Sequence, residues 1–558
     1  MPQLQLKFGV IDPAAKADIG DITAQDKKPW SVIDDLCYDN LPLPANYATM
    51  EWNHDIDDQV EFPDIPNPID TWGLWSDSYS DANGDFTNPP TLDITFSANH
   101  KSPGLTFYFY PHSDDYASAV RVTWYYSTGS IILANEYTIT STIGVVTEPV
   151  EDYRHIKIEF LSTNIRHRFV KLYALEYGIV RLLQDDEIDS CKILEEIDPT
   201  VETISINTLN CRMRTRDSIF SPITSPSHDD MMMRRQPMTV TRDGTPFGTF
   251  FLEDWEDPYQ SGLVFDFRAG DAVSVMDLYT FWGGIYANKP VTELLDEIFN
   301  IVFPTGLIKY ELEDIYATST VTGWIPICGC GEAFQHICFA LNAVADTSRR
   351  EYVWIYQRDT DVTFNIQLNE QYLKGRDGPT KYISGVDVVS YDYVPGIETT
   401  QAYSGSLPVG QHTIRFTEPL HSLTISGGTI ITAHPNYAVV NVPTAAGVTL
   451  TGNKYLSNPL VHSIRAEIAA GEVETVKKFE GYTLVSRDIA DYILHKEFEW
   501  FQNRILTEND VRLGDKEVGY IADLKTRGRD VIGTIVSLES NLRADKSTMR
   551  VVGNIAMD

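Results

Sequence analysis

The chain has 558 residues, with 79 Asp+Glu against 44 Lys+Arg and a formal charge of −35. Such an imbalance excludes a protein that holds nucleic acid through phosphate contacts, because the chain repels the phosphate backbone as a whole. Hydrophobic residues at 43% and aromatic residues at 11% make the composition globular, and 558 residues exceed what one hydrophobic core supports, so several domains are expected.

The charge is uneven. Residues 1–70 carry 4 Lys+Arg against 14 Asp+Glu, net −10, whereas residues 465–558 carry 14 against 17, net −3. No apolar run reaches the length of a membrane span, and Met1-Pro-Gln-Leu-Gln-Leu-Lys7 lacks the basic start and apolar core of a signal peptide, so synthesis in the cytoplasm is expected. Six cysteines, with Cys37, Cys191 and Cys211 scattered and three clustered, do not form a disulfide framework and read as reduced thiols.

In chain order, residues 1–71 open with an alternating strand, Leu4-Gln-Leu-Lys-Phe8, and continue as Pro- and Asp-rich connections. They are expected to form an extended arm that completes a sheet made elsewhere. Residues 72–178 change to short alternating strands rich in aromatics, among them Leu92–Phe96, Leu105–Tyr110, Val120–Tyr126, Ile156–Phe160 and Val170–Leu175, and predict a β-sandwich. Solvent-side aromatics such as Tyr125 and Tyr173 are the candidates for stacking on a sugar face. Against that stands the need of any sandwich for aromatics in its core and at its strand edges.

The loop Asp77-Ser-Tyr-Ser-Asp81-Ala-Asn-Gly-Asp85 has oxygen ligands and a glycine turn, as calcium sites do. Its register fails for an EF-hand: with Gly84 at the sixth position, Tyr79 would be first and Pro90 twelfth. What remains is a calcium site of the jelly-roll kind built from Asp77, Asp81 and backbone carbonyls, set against a plain polar loop, which is the preferred reading.

Residues 179–392 mix strands with two helices and predict an α+β body. One helix carries Val291, Leu295, Ile298 and Val302, started by Pro290 and stopped by Pro304. The other begins in Pro326-Ile-Cys-Gly-Cys-Gly-Glu-Ala-Phe-Gln-His-Ile-Cys338, where three cysteines and His336 lie close together. One-residue spacing of Cys328 and Cys330 suits zinc poorly, and Cys338 falls with Phe334, Ile337 and Leu341 on one helical stripe, so packing is the preferred reading and no metal is expected. Residues 393–460 are poor in charge and rich in Gly, Thr and Val, and predict a small all-β insertion. Residues 461–558 predict a long helix capped by Ser486, with Ala490, Leu494, Phe498, Phe501 and Ile505 as its apolar stripe, and then strands.

Common catalytic signatures are missing from the sequence: it has no Gly-x-Ser-x-Gly, Walker loop, His-Glu-x-x-His or Cys-x-x-Cys. His495-Lys-Glu-Phe-Glu499 has no second histidine one turn on, and His228-Asp-Asp230 reads as a solvated loop. Carboxylate pairs for glycoside hydrolysis are selected by geometry, and 79 acidic residues offer too many chance pairs for spacing to choose among them. The chain is expected to be no enzyme and to use no cofactor.

Several segments resemble, in order, the hub proteins at the tail tip of phages and prophages of Gram-positive bacteria. They are Gly248-Thr-Phe-Phe-Leu-Glu-Asp-Trp255, Asp271-Ala-Val-Ser-Val-Met-Asp277, Gly283-Gly-Ile-Tyr286, Ala343-Val-Ala-Asp-Thr-Ser-Arg349 followed by Tyr352-Val-Trp-Ile-Tyr356, and Glu508-Asn-Asp-Val-Arg-Leu-Gly-Asp-Lys-Glu-Val-Gly519. Gly331 and Glu332 depart from it where an arginine would precede the glutamate. The resemblance implies a mainly β chain with α+β parts: two hub-type β-barrel domains carrying an inserted jelly-roll that is similar to carbohydrate-binding modules. It implies a homotrimer that closes or extends the tail tube, meets distal tail or tail-tube, tape-measure and spike or fibre proteins, and lets DNA pass without retaining it. A cell-surface glycan is the further partner expected of the jelly-roll, whose adhesin role is the alternative reading.

Overall fold

The computed structural model describes residues 4–37, 51, 72–183, 186–214, 236–259, 263–304, 306–444, 446–468, 473–526 and 528–556. Strands dominate, and the chain divides into two compact units, Lys7–Leu182 and Met1–Leu6 with Leu183–Asp558. The first is therefore inserted near the start of the second.

The inserted unit is a β-sandwich of the jelly-roll kind. Its framework is two long strands, Thr91–Phe109 and Ile143–Thr163, paired antiparallel along most of their length. Where separate strands at 92–96 and 105–110 were expected, one strand runs through with register shifts between Thr95 and Gly104. Bulges of this kind bend a strand, so one sheet can curve around its own apolar face. At Gly104 a side chain is impossible, because a Cβ would lie 1.9 Å from the Val146 carbonyl oxygen. The enclosed core holds Phe96, Phe107, Phe109, Trp124, Ile158 and Phe160. Ile19–Gln25, from the segment read as an arm, pairs with Thr91–Phe96 of this sheet.

In the larger unit, strands from its beginning and its end share one open sheet. Its path within residues 183–558 passes from Pro237–Arg242 through Thr245–Glu256, Val264–Gly270, Thr208–Arg214, Ile188–Glu196, Val531–Asn541, Lys546–Ile555 and Ile505–Arg512 to Gln371–Pro379. The two strand-rich regions read from the sequence meet where Ile188–Glu196 pairs with Val531–Asn541. Among the described residues neither region closes into a barrel.

Helices Val291–Val302, Cys330–Leu341 and Arg487–Trp500 bury Leu294, Ile298, Phe334, Ile337, Cys338 and Ile493 in one core. The last helix stops at Trp500, and Ile505, placed on its stripe by spacing, instead begins the next strand. Asn342 ends the middle helix in the left-handed conformation, φ 51°, and so turns the chain sharply into Ala343–Asp346. Residues 393–457 form two three-stranded sheets around Ile414, Ala438, Val440 and Leu450.

Candidate functional site

The turn Asp346-Thr-Ser-Arg-Arg350 is the point at which distant parts of the larger unit converge. It follows the buried strand Ala343–Asp346, so its polar side chains enter the interior and must find partners there. Thr347 donates from Oγ1 to Asp271 Oδ2 at 2.6 Å and accepts from Asn207 Nδ2 at 2.9 Å; Asn207 also donates to Ser348 Oγ at 3.1 Å. Asp271 accepts in addition from the Asn207 amide at 2.8 Å and caps the short helix Ala272–Met276 through the Val273 amide at 3.0 Å.

The two arginines extend the junction. Arg349 lies over the Phe247 ring, 4.7 Å from its centroid, reaches Glu195 at 3.4 Å and donates to the Gly514 carbonyl at 3.2 Å. Arg350 bridges Asp346 at 3.2 Å and Glu517 at 3.0 Å and covers the Trp354 ring at 4.6 Å. Burial pushes the Asp271 carboxyl up to about 6, against the hydrogen bond from Thr347. Glu195 rises to about 7 for the same reason, although Arg349 opposes it. These groups are held by packing, and they serve as structural polar links.

A related arrangement replaces the chemistry suggested by the cysteine cluster. Asp277 Oδ1 accepts from the Glu332 amide at 3.1 Å and so caps the first turn of Cys330–Leu341. Gly329 and Gly331 make room for it: a Cβ on either would lie 2.2 Å and 2.7 Å from that oxygen. Burial raises the Cys328 thiol to about 12 and the Cys330 thiol to about 11, so neither is disposed to become the thiolate that zinc binds. His336 is driven down to about 4 by burial and stays neutral. Among the described residues no group of three or more His, Cys, Asp or Glu is placed to hold a metal ion.

Asn436, from the small all-β part, completes the framework. Its Nδ2 donates to the Trp282 and Ile325 carbonyls, each at 2.8 Å, and its Oδ1 accepts from Trp324 Nε1 at 2.7 Å. Gly283 has φ +60°, and a Cβ there would meet the Ile325 oxygen at 2.1 Å, which explains the Gly-Gly pair in that segment.

In the sandwich unit the sequence-selected residues are dispersed. Asp77 pairs with Lys28 at 2.8 Å, while Asp81 accepts from the Asn83 and Asp85 amides at 2.7 and 3.0 Å in a closed turn. Tyr125 is stacked on His155 with centroids 4.6 Å apart, and His155 Nε2 lies 3.1 Å from Asp93. Tyr173 lies against Tyr108 at 6.0 Å, and burial raises its hydroxyl to about 12. Two strands separate Lys171–Glu176 from Ala117–Tyr125 in the sheet, so the two tyrosines do not share a site. His228, Asp229 and Asp230 lie outside the described residues.

Sequence reasoning missed a cluster beside Asp77. Tyr79, 48% exposed, meets His167 and Phe169 edge-on at 6.1 Å each, and Lys28 lies 4.6 Å from the Phe169 ring centroid. No local spacing could have revealed it, because its members come from three separate segments.

No family model and no curated protein matches the sequence. Among solved structures, the chain is similar in fold to the 43 kDa tail protein of prophage MuSo2 from Shewanella oneidensis, at 10% identity, with 67% of this chain and 95% of that one covered and a TM-score of 0.40. It is also similar to the tail protein from Neisseria meningitidis MC58, at 8% identity, 67% and 94% coverage and a TM-score of 0.42. The family 32 CBM from C. perfringens NanJ in complex with galactose matches at 9% identity, covering 31% of this chain and 99% of that one, with a TM-score of 0.20. All three scores lie below 0.5, so the functional reading rests on the residues.

Proposed function

We propose that this chain is a structural tail-tip hub protein of a phage or prophage, which assembles as a homotrimer, closes or extends the tail tube and connects it to spike or fibre proteins. The observation that carries the reading is the convergence at Asp346–Arg350. Three of the segments that resemble hub proteins supply Asp271, Trp354, and Gly514 with Glu517 to that one junction, and Phe247, just ahead of a fourth, lies under Arg349. Motifs retained for assembly geometry are expected to brace a framework in this way, whereas motifs of an enzyme would converge on an accessible cleft. Its partners in this reading are distal tail or tail-tube, tape-measure and spike or fibre proteins, and its acidic surface lets DNA pass unbound.

Light scattering of the purified chain and antibody labelling of virions test the proposal. A trimer and label at the tail tip are expected; a monomer at every concentration together with label elsewhere on the particle would refute it.

The second reading, adhesion to cell-surface glycan through the sandwich, is favoured by one observation, the half-exposed Tyr79 beside His167 and Phe169. A half-exposed aromatic ring with polar groups beside it suits a sugar, whose C–H face stacks on an aromatic ring while its hydroxyls meet the polar neighbours. Glycan-array binding that is lost in Tyr79→Ala and kept in Tyr125→Ala is the expected result; no binding by the full chain would remove this role.

A further inference from the structure

We propose that Cys191 and Cys211 form a disulfide site, closed by exchange with small-molecule disulfides, at the seam of the large sheet. Although scattered in sequence, the two residues stand directly opposite each other in the antiparallel pair Ile188–Glu196 and Thr208–Arg214. Both are buried and both are free thiols, and alternation along the paired strands puts their side chains on the same face of the sheet.

The ladder fixes which kind of pair they make. The Cys191 carbonyl accepts from the Leu542 amide at 3.0 Å, so the peptide groups of Cys191 point toward the strand on the other side, Val531–Asn541. A strand residue directs its N–H and C=O to the same neighbour, and Cys191 therefore forms a non-hydrogen-bonded pair with Cys211. Cα atoms in such pairs are about 4.5 Å apart with the side chains at their closest, within the roughly 4.4–6.8 Å that a disulfide spans. Closing the bond requires no change of register.

The position gives the bond a consequence. Ile188–Glu196 joins the C-terminal strands through Val531–Asn541, and Thr208–Arg214 joins the N-terminal strands through Val264–Gly270. A covalent link between these two central strands staples the halves of the sheet. A cleft of about 390 Å³ lined by Lys192, Asn210, Arg212 and Arg268 lies over the outward face of the same strands, whereas both cysteines face the core, so the reagent reaches the thiols when the seam opens or while the chain folds.

In the exchange, the Cys211 thiolate attacks one sulfur of the reagent RSSR, forming a mixed disulfide and expelling RS⁻. Cys191, whose thiol is held protonated by the neighbouring Cys211 and by burial, gives its proton to the RS⁻ released in the first step and then attacks Cys211 Sγ, forming the Cys191–Cys211 bond and expelling the second RS⁻. The two thiol protons end on the two RSH products; the protein dithiol is oxidised and RSSR reduced.

The test uses the full chain and glutathione disulfide, both on the folded protein and during refolding from denaturant in a glutathione redox buffer. Peptide mapping is expected to recover a Cys191–Cys211 linked peptide, two thiols should become unreactive to maleimide, and the melting temperature should rise and fall back on addition of dithiothreitol. Refolding removes the barrier of burial, so thiols at 191 and 211 that remain alkylatable after it, or that pair with other cysteines, would overturn the proposal. Cys191→Ala and Cys211→Ala should each lose the thermal shift; if they do not fold, the wild-type peptide map decides alone.

Discussion

The Thr347 hydroxyl donates a 2.6 Å hydrogen bond to the Asp271 carboxylate across 76 residues of sequence, with both groups buried. The same hydroxyl accepts from Asn207, so one side chain joins three segments. Thr347→Ala leaves one buried acceptor and one buried donor short of a partner. The expected cost is about 2–3 kcal/mol. Ser348→Ala should cost clearly less, since it takes one acceptor from Asn207 Nδ2 and leaves the Asp271 carboxylate all of its donors. Chemical denaturation of both variants checks the order.

Gly329 and Asp277 should behave as one unit. A methyl group at position 329 would drive Asp277 Oδ1 from its place and break its bond to the Glu332 amide. Gly329→Ala and Asp277→Ala are therefore each expected to lose the cap, at about 1–2 kcal/mol. The double variant should cost much less than the sum, because the carboxylate that the methyl group displaces is then gone and only the Asp277 Cα, 3.2 Å away, is left to accommodate. Additive losses in a double-mutant cycle would contradict the arrangement.

Glu497 is fully buried and receives Arg358 at 2.9 Å and Asn342 at 2.6 Å on Oε1, while Oε2 has no hydrogen-bond partner. Burial raises this carboxyl to about 7, above the ordinary 4.5, with Arg358 opposing the shift. The folded state thus holds a proton that the unfolded chain releases. Its stabilising contribution is full below pH 4.5 and is lost as pH rises through about 7. Glu497→Gln stays neutral throughout, so its melting temperature should improve relative to wild type as pH rises across that window. A difference independent of pH would show that Glu497 is ionised throughout.

Much of the fold was legible because its signals are local. The stripe Phe334, Ile337, Cys338 and Leu341 is buried as spacing predicts, and Pro290 does precede the helix Val291–Val302. The junction was legible only as separate motifs. Nothing in Asp271-Ala-Val-Ser-Val-Met-Asp277 says that its first carboxylate meets Thr347 and its last meets the start of another helix. Tyr125 and Tyr173 were chosen by alternation, which gives the face of a strand and not the neighbouring ring. His155 and Tyr108 are brought beside them by sheet order, which spacing does not encode. The register of Cys191 and Cys211 is likewise a property of strand pairing.

The sandwich should fold from residues 7–182 and fail, or melt far lower, when cut to 72–178. Two structural losses follow from the shorter cut. Strand Ile19–Gln25 is removed from Thr91–Phe96, exposing a sheet edge and the apolar residues beneath Ile22 and Ala24. Glu51 is removed as well, and it is the carboxylate that meets Lys171 Nζ at 2.8 Å and accepts from the Phe169 amide at 2.8 Å in a fully buried cluster with Asp115. Without Glu51 the cluster keeps Lys171 and Arg168 against Asp115 alone. Breaking one partner from a buried ion pair costs about 3–5 kcal/mol, a large share of a small domain's stability. Glu51→Ala in the 7–182 segment isolates that contribution, and Glu51→Gln should recover part of it by still accepting from Phe169. Thermal melts followed by circular dichroism decide the matter: equal cooperativity and melting temperature for 7–182 and 72–178 would show that neither the strand nor the glutamate belongs to the sandwich.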